Sequence, residues 1–162
     1  APLLSELSGR RGLQTMRVTT LLERDGQVSI LFYMVKILAG THDSDNFSMG
    51  TSGNLIAYGD RDIGCLRGAL NIHHCGSGMI GVAAHPVTGI AFDGFHLPFW
   101  QEAISLVTNG QQCFPMLPTL GWDIALTKDG PKIIEANSRW DPPLYAPFLM
   151  LDADWHRIFS VQ

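Results

Sequence analysis

The stretch from Gly121 to Pro142, GWDIALTKDGPKIIEANSRWDP, decides the reading of this chain. Gly121 to Leu126 and Lys132 to Ala136 are two short apolar runs, and the segment Thr127 to Pro131 between them holds Asp129-Gly130, the commonest short hairpin signal. If the loop is the three-residue Lys128-Asp129-Gly130, with Gly130 in the left-handed position after a type I turn, Asp123 faces Glu135 across the hairpin. Both side chains then point to the same side of the sheet, with Cβ atoms about 5 Å apart, a placement that is destabilising for like charges. A cationic group is therefore expected between them. Asn137, two residues beyond Glu135, falls on the same face and adds a neutral oxygen. Two carboxylates and an amide oxygen suit Mg²⁺ better than zinc. A two-residue loop would instead put Asp123 and Glu135 on opposite faces, and the stretch would then be an ordinary hairpin with solvated acids. Asp141-Pro142-Pro143 ends regular structure after it.

Working outward, Met16 to Leu22 alternates and is rich in β-branched residues, Asp25-Gly26 is a turn, and Gln27 to Leu38 is a nearly all-apolar partner strand buried on both faces. Gly40 to Gly53 (GTHDSDNFSMGTSG) has no apolar period and is expected to be a long loop, the kind that is often functional. Asn54 to Tyr58 and Cys65 to Ile72 are further short strands around a turn at Gly59 to Arg61, followed by a Gly-rich stretch from Cys75 to Gly81. Pro98 opens a helix in which Trp100, Ala103, Ile104 and Val107 share one face, with a stop at Asn109-Gly110. Ala1 to Gly12 is a lead-in to one domain covering 1–162. Strands that come as hairpins rather than alternating with helices make the class α+β, a mainly antiparallel sheet with one or two packed helices.

Composition narrows the function. The 162 residues carry 46% hydrophobic and 16% charged residues with a net charge of −4, which excludes a disordered segment and argues against a nucleic-acid partner. The longest apolar stretch, Val28 to Gly40, is too short to span a bilayer and contains Lys36, so a cytoplasmic protein is expected. Cys65, Cys75 and Cys113 lack C-x-x-C spacing and are expected to be reduced. His73-His74-Cys75 with His85 has no second close pair of ligands and is assigned to loop and packing roles.

At Asp123, Glu135 and Asn137 the chain resembles the C-terminal half of an ATP-grasp domain, whose last hairpin carries an Asp and then Glu-x-Asn. The nearest resemblance is to the sugar-transfer associated ATP-grasp proteins. It extends through GLQTMRVTTLLERDG (Gly12 to Gly26), SDNFSMGTSGN (Ser44 to Asn54) and the run from His85 to Trp100, with HPVTG followed by LPFW. The family's Leu-Asn-Thr is Leu13-Gln14-Thr15 here, and its paired glycines are spread over Gly50-Thr51-Ser52-Gly53.

The resemblance implies ATP and Mg²⁺ as cofactors, with Asp123, Glu135 and Asn137 as metal ligands. It makes Arg17 the catalytic cation on the transferred phosphate, against the alternative of a surface arginine on a strand. Lys36 either reaches a phosphate or snorkels out to water, and Asn46 either orients ligand or caps the long loop. The implied reaction activates a carboxylate as an acyl phosphate for attack by an amine or similar nucleophile, in a setting of polysaccharide or glycan biosynthesis. The lysines and adenine hinge of the first ATP-grasp half have no counterpart here, so an N-terminal lobe supplied from elsewhere is expected. The alternative is a non-catalytic ATP-grasp remnant that binds a ligand or a partner.

Overall fold

The computed structural model describes residues 4–41, 43–73, 78–143 and 146–160. Seven antiparallel strands form one sheet: β1 (Thr15–Leu22), β2 (Val28–Ile37), β3 (Leu55–Asp60), β4 (Cys65–Ile72), β5 (Met79–Val82), β6 (Thr119–Thr127) and β7 (Gly130–Asn137), in the order β5-β4-β3-β2-β1-β6-β7. Helices α1 (Ser5–Ser8), α2 (Trp100–Gln112) and α3 (Asp152–Ser160) complete the described elements together with two short 3₁₀ turns. The α+β antiparallel class expected from the hairpin pattern is the one found. No helix among the described residues is long and apolar enough to cross a membrane.

Alternation along the strands sends residues to two separate cores. Met16 and Val18 of β1, Tyr33, Val35 and Ile37 of β2, and Leu120, Trp122, Ile124 and Leu126 of β6 face α2, where Trp100, Ala103 and Val107 close over them. Each such large side chain contributes about 1.5–3 kcal/mol by leaving water. Phe32 and Met34 of β2, Leu21 of β1 and Ile56 of β3 face the other way, onto Phe47, Met150 and Ile158. That double cover is why β2 is apolar at nearly every position. It is also what leaves Arg17, Lys36 and Asp123 on the second face, beside an apolar cluster rather than beneath α2. The lead-in joins the first core, with Leu4 and Leu7 fully buried.

Three local expectations are corrected. Helix α2 continues through Asn109-Gly110 to Gln112. Gly110 lies against the Trp122 ring, and Gln111 is buried, accepting from Thr20 Oγ1 at 2.6 Å and donating to the Leu117 carbonyl at 2.7 Å. These tertiary contacts outweigh the local stop signal. Within the Gly-rich stretch, Met79–Val82 pairs with β4 as an edge strand, while residues 74–77 lie outside the described residues. The turn after β3 falls at 61–64 rather than at Gly59 to Arg61, because the chain bulges at Tyr58/Gly59 and keeps pairing through Asp60.

The fourth correction concerns the last hairpin. Thr127 pairs with Gly130, so the loop is the two residues Lys128-Asp129, and Gly130 still takes a left-handed φ of 93°. Continued regularly, that register would put Asp123 opposite Ile134. A bulge intervenes: Ile124 pairs with Ile133, Ile134 is left over, and Asp123 meets Glu135. One extra residue restores the facing carboxylates that a two-residue loop would have separated.

Candidate functional site

Arg17, Asp123 and Glu135 lie in one transverse row across β1, β6 and β7, since Arg17 pairs with Asp123 and Asp123 with Glu135. Directly paired residues of neighbouring strands project from the same face, so pairing alone brings them together. Met34 extends the row onto β2 beside Arg17, and Lys36 lies two residues along β2 on the same face. Asn137 follows Glu135 by the same spacing. Five of the six sequence-predicted site residues thus converge.

Arg17 brings a guanidinium to both carboxylates from the β1 side of Asp123. Its Nε donates to Asp123 Oδ1 at 2.5 Å and its Nη2 to Asp123 Oδ2 at 2.7 Å, while Nη2 also approaches Glu135 Oε1 at 3.8 Å. Such a two-pronged contact is the geometry in which a guanidinium holds a carboxylate best. Lys36 does not snorkel away: its Nζ donates to Asp123 Oδ2 at 3.1 Å. Burial alone would raise the pKa of Asp123, but hydrogen bonds and positive charge from Arg17 and Lys36 outweigh it and hold the carboxyl below the usual range. Asp123 is therefore an anion at neutral pH, although it is only 4% exposed.

Glu135 belongs to the open side of the row, its side chain 56% exposed, and accepts from Asn137 Nδ2 at 3.0 Å. The donor set Asp123, Glu135 and Asn137 is all oxygen and suits a hard divalent cation chemically. Both Asp123 oxygens already accept from cations, so Glu135 and the Asn137 amide oxygen are the more accessible donors. Among the described residues no group of three His, Cys, Asp or Glu side chains forms a metal cluster.

Asn46 is placed differently. It is exposed, and its backbone makes the contacts: its N–H donates to Ser44 Oγ and its carbonyl accepts from Asn54 Nδ2. The residues that shape the loop are ones the sequence reading passed over. Fully buried Asn54 donates to the carbonyls of Ser44 and Asn46 at 2.7 and 3.0 Å. Its Oδ1 accepts from the Ala39 and Gly40 N–H groups, both at 3.1 Å, tying the two ends of the loop together. Asp45 Oδ2 accepts from the N–H and hydroxyl of Thr15, pinning the loop to the start of β1. Gln14 Oε1 accepts from the Leu38 N–H at 3.0 Å, so the glutamine in the Leu13-Gln14-Thr15 segment also secures this end of the sheet. The available signal was the habit of Asn and Asp at loop boundaries of bonding nearby backbone.

So anchored, the loop places Phe47, Ser48 and Met49 over the second face of the sheet. With Arg17, Lys36, Met34 and Ile56 they line a cavity of about 450 Å³. His85, by contrast, is structural: Nε2 faces the Leu38 carbonyl at 2.9 Å and Nδ1 accepts from the N–H groups of Val87 and Thr88, which makes Nε2 the protonated nitrogen. His74 and Cys75 of the discounted zinc grouping lie outside the described residues.

No curated protein and no solved structure matches the chain. A family model does, that of the sugar-transfer associated ATP-grasp proteins, over residues 1–146. That span includes every residue of the row and all of the anchoring loop. The chain therefore belongs to the sugar-transfer associated ATP-grasp family, which implies an ATP-binding, ligase-type function.

Proposed function

We propose that this chain forms the metal- and acyl-binding wall of a Mg²⁺-dependent ATP-grasp ligase that activates a carboxylate as an acyl phosphate for attack by an amine or similar nucleophile. The observation that carries the reading is the row Arg17-Asp123-Glu135 with Lys36 beside it on one sheet face. Two fixed cations next to two carboxylates are what phosphoryl transfer needs, because its catalysis is mostly positioning and charge neutralisation. Asp123, Glu135 and Asn137 would hold the divalent ion, which when bound neutralises phosphate oxygens. Arg17 contributes through its fork: held by Asp123, it keeps one orientation and brings a fixed guanidinium charge to the site. Lys36 adds a second positive charge from the neighbouring strand. Asn46 belongs to the site as an orienting residue only through the loop it shares with Phe47. The glycan-biosynthesis setting rests on the family's description, and the adenine pocket and remaining phosphate ligands would come from an N-terminal lobe.

Calorimetric titration with Mn²⁺ and with Mg·ATP tests this reading. Weak divalent-cation binding that Glu135→Gln weakens further, with little affinity for ATP in these 162 residues alone, is the expected result. Tight ATP binding that ignores Glu135→Gln would mean the chemistry lies elsewhere.

A further inference from the structure

The sheet face that carries the charged row has a second row directly beside it. Two residues along each strand from Met34, Arg17, Asp123 and Glu135 stand Phe32, Thr19, Gly121 and Asn137, which pair across β2, β1, β6 and β7 in the same way. The rows are about 7 Å apart, the rise of two strand residues. Lys36 lies one row to the other side along β2. The centre of the second row has little of its own to cover it, because Gly121 carries no side chain and Thr19 a small one. Trp140 supplies the cover.

After Asn137 the chain turns back over the sheet and sets the Trp140 ring against Phe32, with centroids 5.7 Å apart. The indole Nε1 donates to Thr119 Oγ1 at 3.1 Å. Reaching from Phe32 to Gly121, the tryptophan covers Thr19, which is fully buried with a hydroxyl that has no hydrogen-bond partner among the described residues. An unpaired hydroxyl is unfavourable to bury, so the apolar contacts of the ring outweigh that loss. The seat is the α-carbon of Gly121. A Cβ there would lie 2.9 Å from Trp140 Cβ and 3.4 Å from Arg17 Cδ, so the tryptophan and the Arg17 stem are neighbours over a single α-carbon. Gly121 has no positive φ, so what it provides is room for that close approach.

We propose that Trp140 is a positioning residue for the charged row. Seated on Gly121, it occupies the space over the second row into which the Arg17 stem would otherwise swing, and so keeps the guanidinium on Asp123 and Glu135. A long stem samples many rotamers unless its neighbours exclude them, and a two-pronged contact with a carboxylate tolerates little misorientation. The same fold-back places Asn137 beside Glu135, and the residues that follow the anchored ring, Asp141 and Pro142, line the cavity with Arg17 and Lys36. The inference deepens the proposed ligase function and rests on it for what the row does, but the positioning itself is a matter of packing.

The test follows the Arg17 Nε–H proton, which is bonded to Asp123, by ¹H–¹⁵N NMR in the 162-residue chain. Trp140→Leu keeps an apolar side chain against Phe32 but removes the ring from Gly121. It should speed solvent exchange of the Arg17 proton by about tenfold or more, while the backbone amides of β6 and α2 keep their protection. Gly121→Ala reaches the same end from below: its Cβ displaces the ring, the Trp140 Nε1–H signal shifts, and the Arg17 proton exchanges faster. Trp140→Phe retains a ring and should stay within about threefold of the wild type. An Arg17 proton that exchanges as in the wild type in either of the first two variants, or that speeds up only in step with the β6 amides, would overturn the proposal. Mn²⁺ titration separates it from the ligase reading. Faster Arg17 exchange in a chain whose Mn²⁺ binding ignores Glu135→Gln would keep the positioning role and remove the ligase reading. Mn²⁺ binding weakened by Glu135→Gln, with Arg17 exchange unmoved by Trp140→Leu, would do the reverse.

Discussion

Replacing Asp123 by Asn removes one charge and little volume from the centre of the row, and its cost can be worked from the contacts. Asp123 accepts two hydrogen bonds from Arg17 and one from Lys36. Hydrogen bonds to charged groups are worth about 1.5–3 kcal/mol each, and removing one partner of a buried ion pair costs about 3–5 kcal/mol. The side chains of Arg17 and Lys36 are 19% and 16% exposed, so water relieves part of the loss. Glu135 also remains near Arg17, and the asparagine oxygen can still accept from one cation. A destabilisation of about 2–3 kcal/mol is expected, or roughly 4–12 °C in Tm for a domain of this size. Urea unfolding followed by circular dichroism should show a lower midpoint at an unchanged slope. The pH dependence follows from the depressed pKa of Asp123. In the wild type the carboxylate's contribution is complete above the unfolded value of about 3.9 and is lost as pH falls through the lower folded value. The gap between wild type and Asp123→Asn should therefore stay constant from about pH 5 to 8 and close below about pH 4. A gap under about 0.5 kcal/mol at pH 7, or one that widens in acid, would refute the ion-pair argument.

Glu135→Gln should leave Tm within about 1 °C, because an exposed charge contributes little to stability, yet weaken Mn²⁺ binding measured by electron paramagnetic resonance. Asn54→Ala should cost about 2 kcal/mol by leaving buried backbone groups unpaired, with faster amide exchange at Ala39 and Gly40 as its local signature. Gly64→Ala should destabilise by more than about 2 kcal/mol, since φ is 65° and the new Cβ would fall 2.3 Å from Trp100 Cγ; a variant with unchanged Tm would disprove that close packing. Deleting Ile134 should keep the fold and the Mn²⁺ response, because the remaining residues then pair in unbroken register with Asp123 still opposite the glutamate.

Much of this protein was legible in the residue order itself. Short-range periodicity and turn residues locate β1, β2, β4 and the hairpin of β6 and β7, because strand alternation and Asp-Gly turns depend on neighbours in sequence. Spacing made Asp123, Glu135 and Asn137 candidates, facing acids called for a cation between them, and the family resemblance added Arg17 and Lys36. What lay beyond the sequence were outcomes set by distant contacts. The Gln111 contacts and the Trp122 ring carry α2 past Asn109-Gly110, and β4 recruits Met79–Val82 as an edge strand. The bulge at Ile134 shows the division most clearly. The residues of the turn allow a two- or a three-residue loop, and the folded hairpin takes the two-residue one, which in unbroken register would turn Glu135 away from Asp123. The sheet accepts one unpaired residue there, and the structure that results sets Glu135 beside the Arg17–Asp123 pair. Register is a property of the whole ladder and of the charges it aligns, so only the folded sheet could decide it.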